Sequence, residues 1–144
     1  MLLLHIDSSV LGDQSASRAL SAQIVARQVA LHPGIEVRRR DLAADAALQH
    51  LSSAHLAAVN GVAVADATMR ADLAKGGAYL DDLFAADIIV IGAPMYNFSI
   101  PSQLKAWIDR VVVAGKTFRY VASGVEAMKT FLFPGTNPST PLAT

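Results

Sequence analysis

The 144-residue chain predicts an α/β domain built on a mainly parallel sheet. Three observations carry that expectation. Two short continuous apolar runs, Leu2–Ile6 and Ile88–Ile91, read as strands covered on both faces. Between and after them the apolar spacing changes to a helical period. Each run empties into a loop of turn-forming residues, and strands alternating with helices imply parallel pairing through right-handed crossovers.

The first run, Leu2-Leu3-Leu4-His5-Ile6, ends in Asp7-Ser8-Ser9, and Gly12, Asp13, Gln14 and Ser15 continue the loop. From Ala16 the pattern turns helical: Leu20, Ile24 and Leu31 share one face, and His32-Pro33-Gly34 stops the helix. Ile35 to Arg40 alternates like a half-exposed edge strand, with Arg38-Arg39-Arg40 as a solvated face and Asp41-Leu42 closing it. The alanine-rich stretch from Ala43 to Arg70 reads as a long connection with one or two short helices. Ala71 to Ala86 forms a helix whose Leu73, Leu80, Leu83 and Phe84 share a broad face, leaving Asp72, Lys75, Asp81 and Asp82 mostly solvated. Ile88-Ile89-Val90-Ile91 is the clearest strand, and four large β-branched residues ask for a neighbour on each side. Pro101 then opens an amphipathic helix in which Leu104, Trp107, Ile108, Val111 and Val112 repeat at helical spacing up to Gly115, with Asp109 and Arg110 on its polar side.

Composition narrows the function. Twelve basic and twelve acidic residues balance, which excludes a nucleic-acid binder that works by neutralising phosphates. No uncharged apolar stretch approaches the roughly 20 residues of a membrane span, and the opening residues have no basic leader region. The chain has no cysteine, which removes disulfides, thiolate metal sites and a cysteine nucleophile and predicts a cytoplasmic setting. Of the four histidines, His50 and His55 are five apart, an awkward spacing for one helical face, so no metal site is expected; His5 reads as a packed or hydrogen-bonded core residue. No Gly-x-Ser-x-Gly elbow supports a serine hydrolase. After Lys129 there is no charged side chain, and three of the six prolines fall between Pro134 and Thr144.

Two loops leave the carboxyl ends of strands, where open parallel sheets bind their ligands. The loop after Ile6 places Ser8, Ser9, Ser15 and Ser17 just ahead of a helix, whose unpaired N–H groups and positive dipole end suit a phosphate; the same serines also serve as ordinary caps. Neither GxxxxGK[ST] nor GxGxxG occurs, so any phosphate loop is of another kind than those two. The loop after Gly92, Pro94-Met95-Tyr96-Asn97-Phe98, combines a sulfur side chain, two aromatics and an amide, a set that suits the faces and polar edge of a flat heterocycle. Met95 and Phe98 stapling the following helix is the equally weighted alternative.

The run from Ala93-Pro94-Met95-Tyr96-Asn97-Phe98-Ser99 through Pro101-Ser102-Gln103-Leu104-Lys105-Ala106-Trp107 to Arg110, followed by Gly115-Lys116-Thr117-Phe118-Arg119-Tyr120, closely resembles the FMN-dependent NADH:quinone reductases known as azoreductases. Asp7-Ser8-Ser9, Ser15-Ala16-Ser17 and Arg38, Asp41 and Leu42 match as well, and the likeness covers about residues 1–126. The resemblance implies a flavodoxin-like doubly wound sheet of order 2-1-3-4-5 with one FMN per subunit of a homodimer. Electrons from NADH or NADPH would pass through FMN to a quinone or azo compound. It assigns Ser9, Ser15, Ala16 and Ser17 to the FMN phosphate, Met95, Tyr96, Asn97 and Phe98 to the ring, and Tyr120 to a substrate contact across the dimer. No residue is expected to act as a covalent nucleophile, because the cofactor carries the chemistry. Met128–Phe133 would be a fourth strand, closing an FMN-binding domain over residues 1–133, and 134–144 a divergent tail, so that the last strand and helix are absent. Two other functions stay open: a shortened, impaired or non-catalytic remnant of the family, and a flavodoxin-type electron carrier, which the neutral net charge disfavours.

Overall fold

The computed structural model describes residues 1–45 and 48–127. Three parallel strands form its sheet: β1 (Leu2–Asp7) lies between β2 (Glu36–Asp41) and β3 (Ile88–Gly92), in the order β2-β1-β3. The register pairs Asp7 with Asp41 on one side and with Gly92 on the other, so both loops leave the same end of adjacent strands. Helix α1 (Ala16–Leu31) connects β1 to β2; a short α2 (Ser53–Val59) and a long α3 (Ala67–Ala85) connect β2 to β3. After β3 come α4 (Ser102–Val111) and an antiparallel hairpin of β4 (Phe118–Val121) and β5 (Gly124–Ala127).

The described residues depart from the expected single sheet of order 2-1-3-4-5. Among the described residues its 2-1-3 part is present, and the next two strands pair with each other as a separate sheet. Each strand of that hairpin is four residues long and largely exposed, with no apolar run to announce it. The predicted fourth strand Met128–Phe133 and the 134–144 tail lie outside the described residues.

Side chains of β1 alternate between two different environments. Leu2, Leu4 and Ile6 point into an apolar core with Tyr79, Leu80 and Leu83 of α3 and Leu104, Trp107 and Val111 of α4. His5 and Asp7 point the other way, under α1, where the buried Ser21 hydroxyl lies 2.9 Å from His5 Nε2 and donates to Asp7 Oδ1 at 3.1 Å. His5 is thus a hydrogen-bonded core residue, as expected. The α1 residues read as one apolar face do align, but Leu20 and Leu31 are 59% and 52% exposed and Ile24 43%. The helix meets the sheet through its serine side, because the surface beneath it is polar.

Charged groups depart most from expectation. Asp72 and Asp82 of α3 are buried instead of solvated. Asp82 accepts from Arg38 at 2.8 Å and from Arg40 at 2.7 Å, while Arg39 donates twice to Asp7 on the opposite face of β2, so the arginine run is a set of pairing groups. Arg110 of α4 is buried too: its Nη2 donates to Asp72 Oδ2 at 2.6 Å and to the Gln49 carbonyl at 2.8 Å. His55 Nδ1 accepts the Ser52 N–H at 3.1 Å, and its Nε2 lies 3.0 Å from the same Asp72 carboxylate and 2.7 Å from Arg110 Nη2. Gly76 makes room for this packing, since a Cβ there would meet Arg110 Cδ at 3.1 Å. α3 starts at Ala67, earlier than the apolar pattern suggested, because Asp66 caps it by accepting the Met69 N–H.

These pairings predict a two-stage acid response. Burial, only partly offset by Asp7, holds the His5 imidazole below its ordinary 6.5, so the unfolded chain takes up that proton first and stability falls as pH drops through 6.5. The Arg18 hydrogen bond holds Asp41 below 3.8; for Asp82 the Arg40 and Arg38 bonds outweigh a burial effect of opposite sign, and for Asp72 the Gln49 N–H, His55 and Arg110 do so. Their contribution is complete above 3.8 and is lost as pH falls below it. Melting temperature measured against pH should decline gently below 6.5 and steeply below 3.8, and His5→Gln should remove the upper stage alone.

Candidate functional site

The site is built at the carboxyl ends of β1 and β3, where the chain crosses from β1 to β2 on one side and β3 flanks β1 on the other. The two loops are tied together at their base. Ser8 Oγ donates to the Gly92 carbonyl at 2.7 Å, a buried bond that joins the two strand ends. Further out, Ser9 Oγ lies 3.0 Å from Tyr96 Oη, and Tyr96 Oη accepts the Val10 N–H at 3.2 Å. Tyr96 therefore reaches back from the second loop into the first, and Ser9 Oγ also accepts the Leu11 N–H.

Ser15 is the N-cap of α1, and its Oγ accepts the Arg18 N–H at 3.3 Å while lying 3.0 Å from Ser17 Oγ. The capping reading of Ser15 is correct, and it leaves the first-turn N–H groups of Ala16 and Ser17 without partners inside the helix. α1 can approach the end of β3 because position 92 is glycine: a Cβ there would meet Ser21 Oγ at 3.0 Å, Asp7 Oδ1 at 3.1 Å and the Ser17 carbonyl at 3.3 Å.

The second loop carries its own constraint. Tyr96 and Ser99 exchange both backbone hydrogen bonds at 2.9 Å around a two-residue turn, with Asn97 at φ 48° and Phe98 at φ 63°. Such a turn normally takes glycine or asparagine, and a bulky aromatic at positive φ is a strained choice. Phe98 is 95% exposed and Met95 73% exposed, so neither staples α4. Asn97 is exposed as well. Tyr120 stands apart on β4, 75% exposed, with its ring edge-on to Phe118.

Sequence reasoning missed the pair that holds the first loop. Arg18 donates through Nε and Nη2 to the Ser9 carbonyl at 3.2 and 2.7 Å, and the same guanidinium forks onto the Asp41 carboxylate. Asp41 also accepts the Ala43 and Ala44 N–H groups. The hydrogen bond to Asp41 raises the Arg18 pKa above its ordinary value. The available signal was the arginine directly after Ser15-Ala16-Ser17. Among the described residues no group of three or more histidine, aspartate or glutamate side chains could hold a metal ion, and no helix is long and apolar enough to cross a membrane.

A protein-family model described as a flavodoxin-like fold matches residues 1–136. The chain belongs to this flavodoxin-like family. It is 58% identical over 128 residues to the FMN-dependent NADH:quinone oxidoreductase 2 of Bradyrhizobium diazoefficiens, covering 89% of this chain and 62% of that protein. The FMN-dependent NADH:quinone oxidoreductase of Methylocella silvestris is 56% identical over 129 residues, with 89% and 63% covered. Among solved structures, an azoreductase from Bacillus anthracis superposes with a TM-score of 0.74 at 26% identity, over 88% of this chain and 62% of that one. The chain thus spans less than two thirds of the length of the relatives it matches. Within the flavodoxin-like family the candidate site falls at the switch point between the first and third strands.

Because Phe98 buries nothing in this chain and sits at positive φ, Phe98→Gly should leave the fold intact and raise its stability by about 0.5–1 kcal/mol. Chemical denaturation of the two proteins checks this; a loss of stability would mean that the ring makes contacts the geometry does not show.

Proposed function

We propose that the two loops bind flavin mononucleotide and that the chain belongs to an oxidoreductase moving two electrons from NADH or NADPH to a quinone or azo acceptor. The carrying observation is the Ser9–Tyr96 contact, which joins a serine-lined helix N-terminus to a strained turn presenting Met95 and Phe98 to solvent. In this reading the Ser9, Ser15 and Ser17 hydroxyls and the Ala16 and Ser17 N–H groups hold the phosphate without a free cation. Met95, Tyr96 and Phe98 flank the ring system, and the Asn97 amide addresses its polar edge. Bound there, FMN supplies the redox chemistry, and the chain's residues position it and exclude water. The exposure of Met95 and Phe98 supports this, since large apolar groups on a loop normally have something to pack on.

The relatives' names support the substrate classes. A homodimer in which Tyr120 reaches the partner's site fits that residue's 75% exposure on the hairpin. A cytoplasmic setting, an FMN-binding unit over residues 1–133 and a separate tail over 134–144 belong to the same reading. The competing reading is a non-catalytic form, favoured by the uncovered α1 side chains Leu20, Ile24 and Leu31.

Titrating the purified chain with FMN decides between them. One equivalent should bind at micromolar concentration, NADH should bleach the flavin absorbance, and a quinone should restore it. Binding without bleaching would favour the non-catalytic form, and absence of binding would remove the proposal.

A further inference from the structure

We propose that Arg18 is the positioning residue of the phosphate-binding loop: it shapes the loop from beneath and does not itself contact the anion. The inference rests on the reading of the site as one for flavin mononucleotide. Three contacts of one residue carry it. The Arg18 backbone N–H is taken by Ser15 Oγ, its Nε and Nη2 both donate to the Ser9 carbonyl, and the guanidinium forks onto Asp41. Ser9 and Ser15, the two ends of the loop, are therefore both referred to one residue, across an intervening segment that turns at Gly12 with φ 54°.

The charge balance excludes a direct role. Arg18 is matched by Asp41, and Arg39 by Asp7, with secondary approaches of 3.8 Å from Arg18 to Asp7 and 3.5 Å from Arg39 to Asp41. Two guanidiniums and two carboxylates cancel, and the Arg18 side chain is 13% exposed. An anion at the Ser15–Ser17 hydroxyls meets neutral donors there and a cation already committed elsewhere. Fixing the Ser9 carbonyl from below aims that oxygen away from the anion, where it would repel, and leaves the Ser9 hydroxyl beside Tyr96 Oη on the loop's other side. Lysine cannot replace this fork, because one ammonium has no planar pair of donors for two acceptors.

The test compares the full chain with Arg18→Lys and Arg18→Gln by two readouts. Amide hydrogen exchange without ligand should speed up in residues 9–17 of both variants while the strands β1 and β3 stay protected. Affinity for FMN should fall by roughly tenfold to a hundredfold, the usual effect of a misplaced first layer of contacts, while affinity for riboflavin, which lacks the phosphate, should change little. The salt dependence of FMN binding should be equally shallow in all three proteins, whereas a direct guanidinium–phosphate pair would make it steeper in the parent chain. Unchanged exchange in residues 9–17, or equal losses for FMN and riboflavin, would overturn the assignment. A parent chain that binds neither flavin would refute the reading of the site, and loop exchange would then still decide whether Arg18 holds the loop.

Discussion

Asp7 is the constraint on which the rest of this structure depends. It is the last residue of the central strand, 1% exposed, and a buried carboxylate without partners costs several kcal/mol. Its partners come from both flanking elements: the Arg39 guanidinium from β2 and the Ser21 hydroxyl from α1. β1 can end there only when both are in place. The same residue faces Gly92 across the sheet, so the end of β3 is held to the same point. The geometry of the two loops begins from this junction, and their positions relative to each other follow from it.

Above that junction the site divides into a fixed part and an open part. The fixed part is the first loop, where Ser8, Ser9, Ser15 and Arg18 all have protein partners. The open part is the turn at Asn97 and Phe98, whose backbone is closed by two hydrogen bonds while its side chains project into solvent. Strain of this kind persists only where the surroundings enforce it, and here Tyr96 does so by anchoring one end of the turn to the first loop. A rigid cradle beside a displayed aromatic edge suits a ligand with a compact polar end and a flat body.

Much of this was legible beforehand. β1, β3 and α4 announced themselves by apolar run or helical stripe, and the extent of α1 followed from Ser15 and the His32-Pro33-Gly34 stop. Both loops were placed at strand ends, because strand ends followed by turn formers are a local signal. What escaped was non-local. Whether Asp82 is solvated depends on Arg38 and Arg40, more than forty positions away, and whether Arg110 is a surface residue depends on Asp72 and the Gln49 carbonyl. The positive φ at Phe98 was hidden because no glycine marks it. The aligned Leu20, Ile24 and Leu31 misled for the opposite reason: their periodicity is real, but the sheet face beneath α1 carries His5 and Asp7 and selects the serine side of the helix.

The register of β2 shows how charge does work that apolar residues do elsewhere. Its sequence, Glu-Val-Arg-Arg-Arg-Asp, has no hydrophobic face, and its one large aliphatic, Val37, is 40% exposed. In most strands a slip by one residue is forbidden because it turns the core face to solvent. Here the alternation of arginines has that role. Arg38 and Arg40 project to the side of α3 and meet Asp82, whereas Arg39 projects to the side of α1 and meets Asp7. A one-residue slip would present one arginine to Asp82 in place of two and carry Asp41 to that same side, leaving the buried Asp82 short of a partner and Arg18 without Asp41. The polar edge strand is thus placed as specifically as an apolar one, and it delivers Asp41 to the level where Arg18 can hold both it and the Ser9 carbonyl.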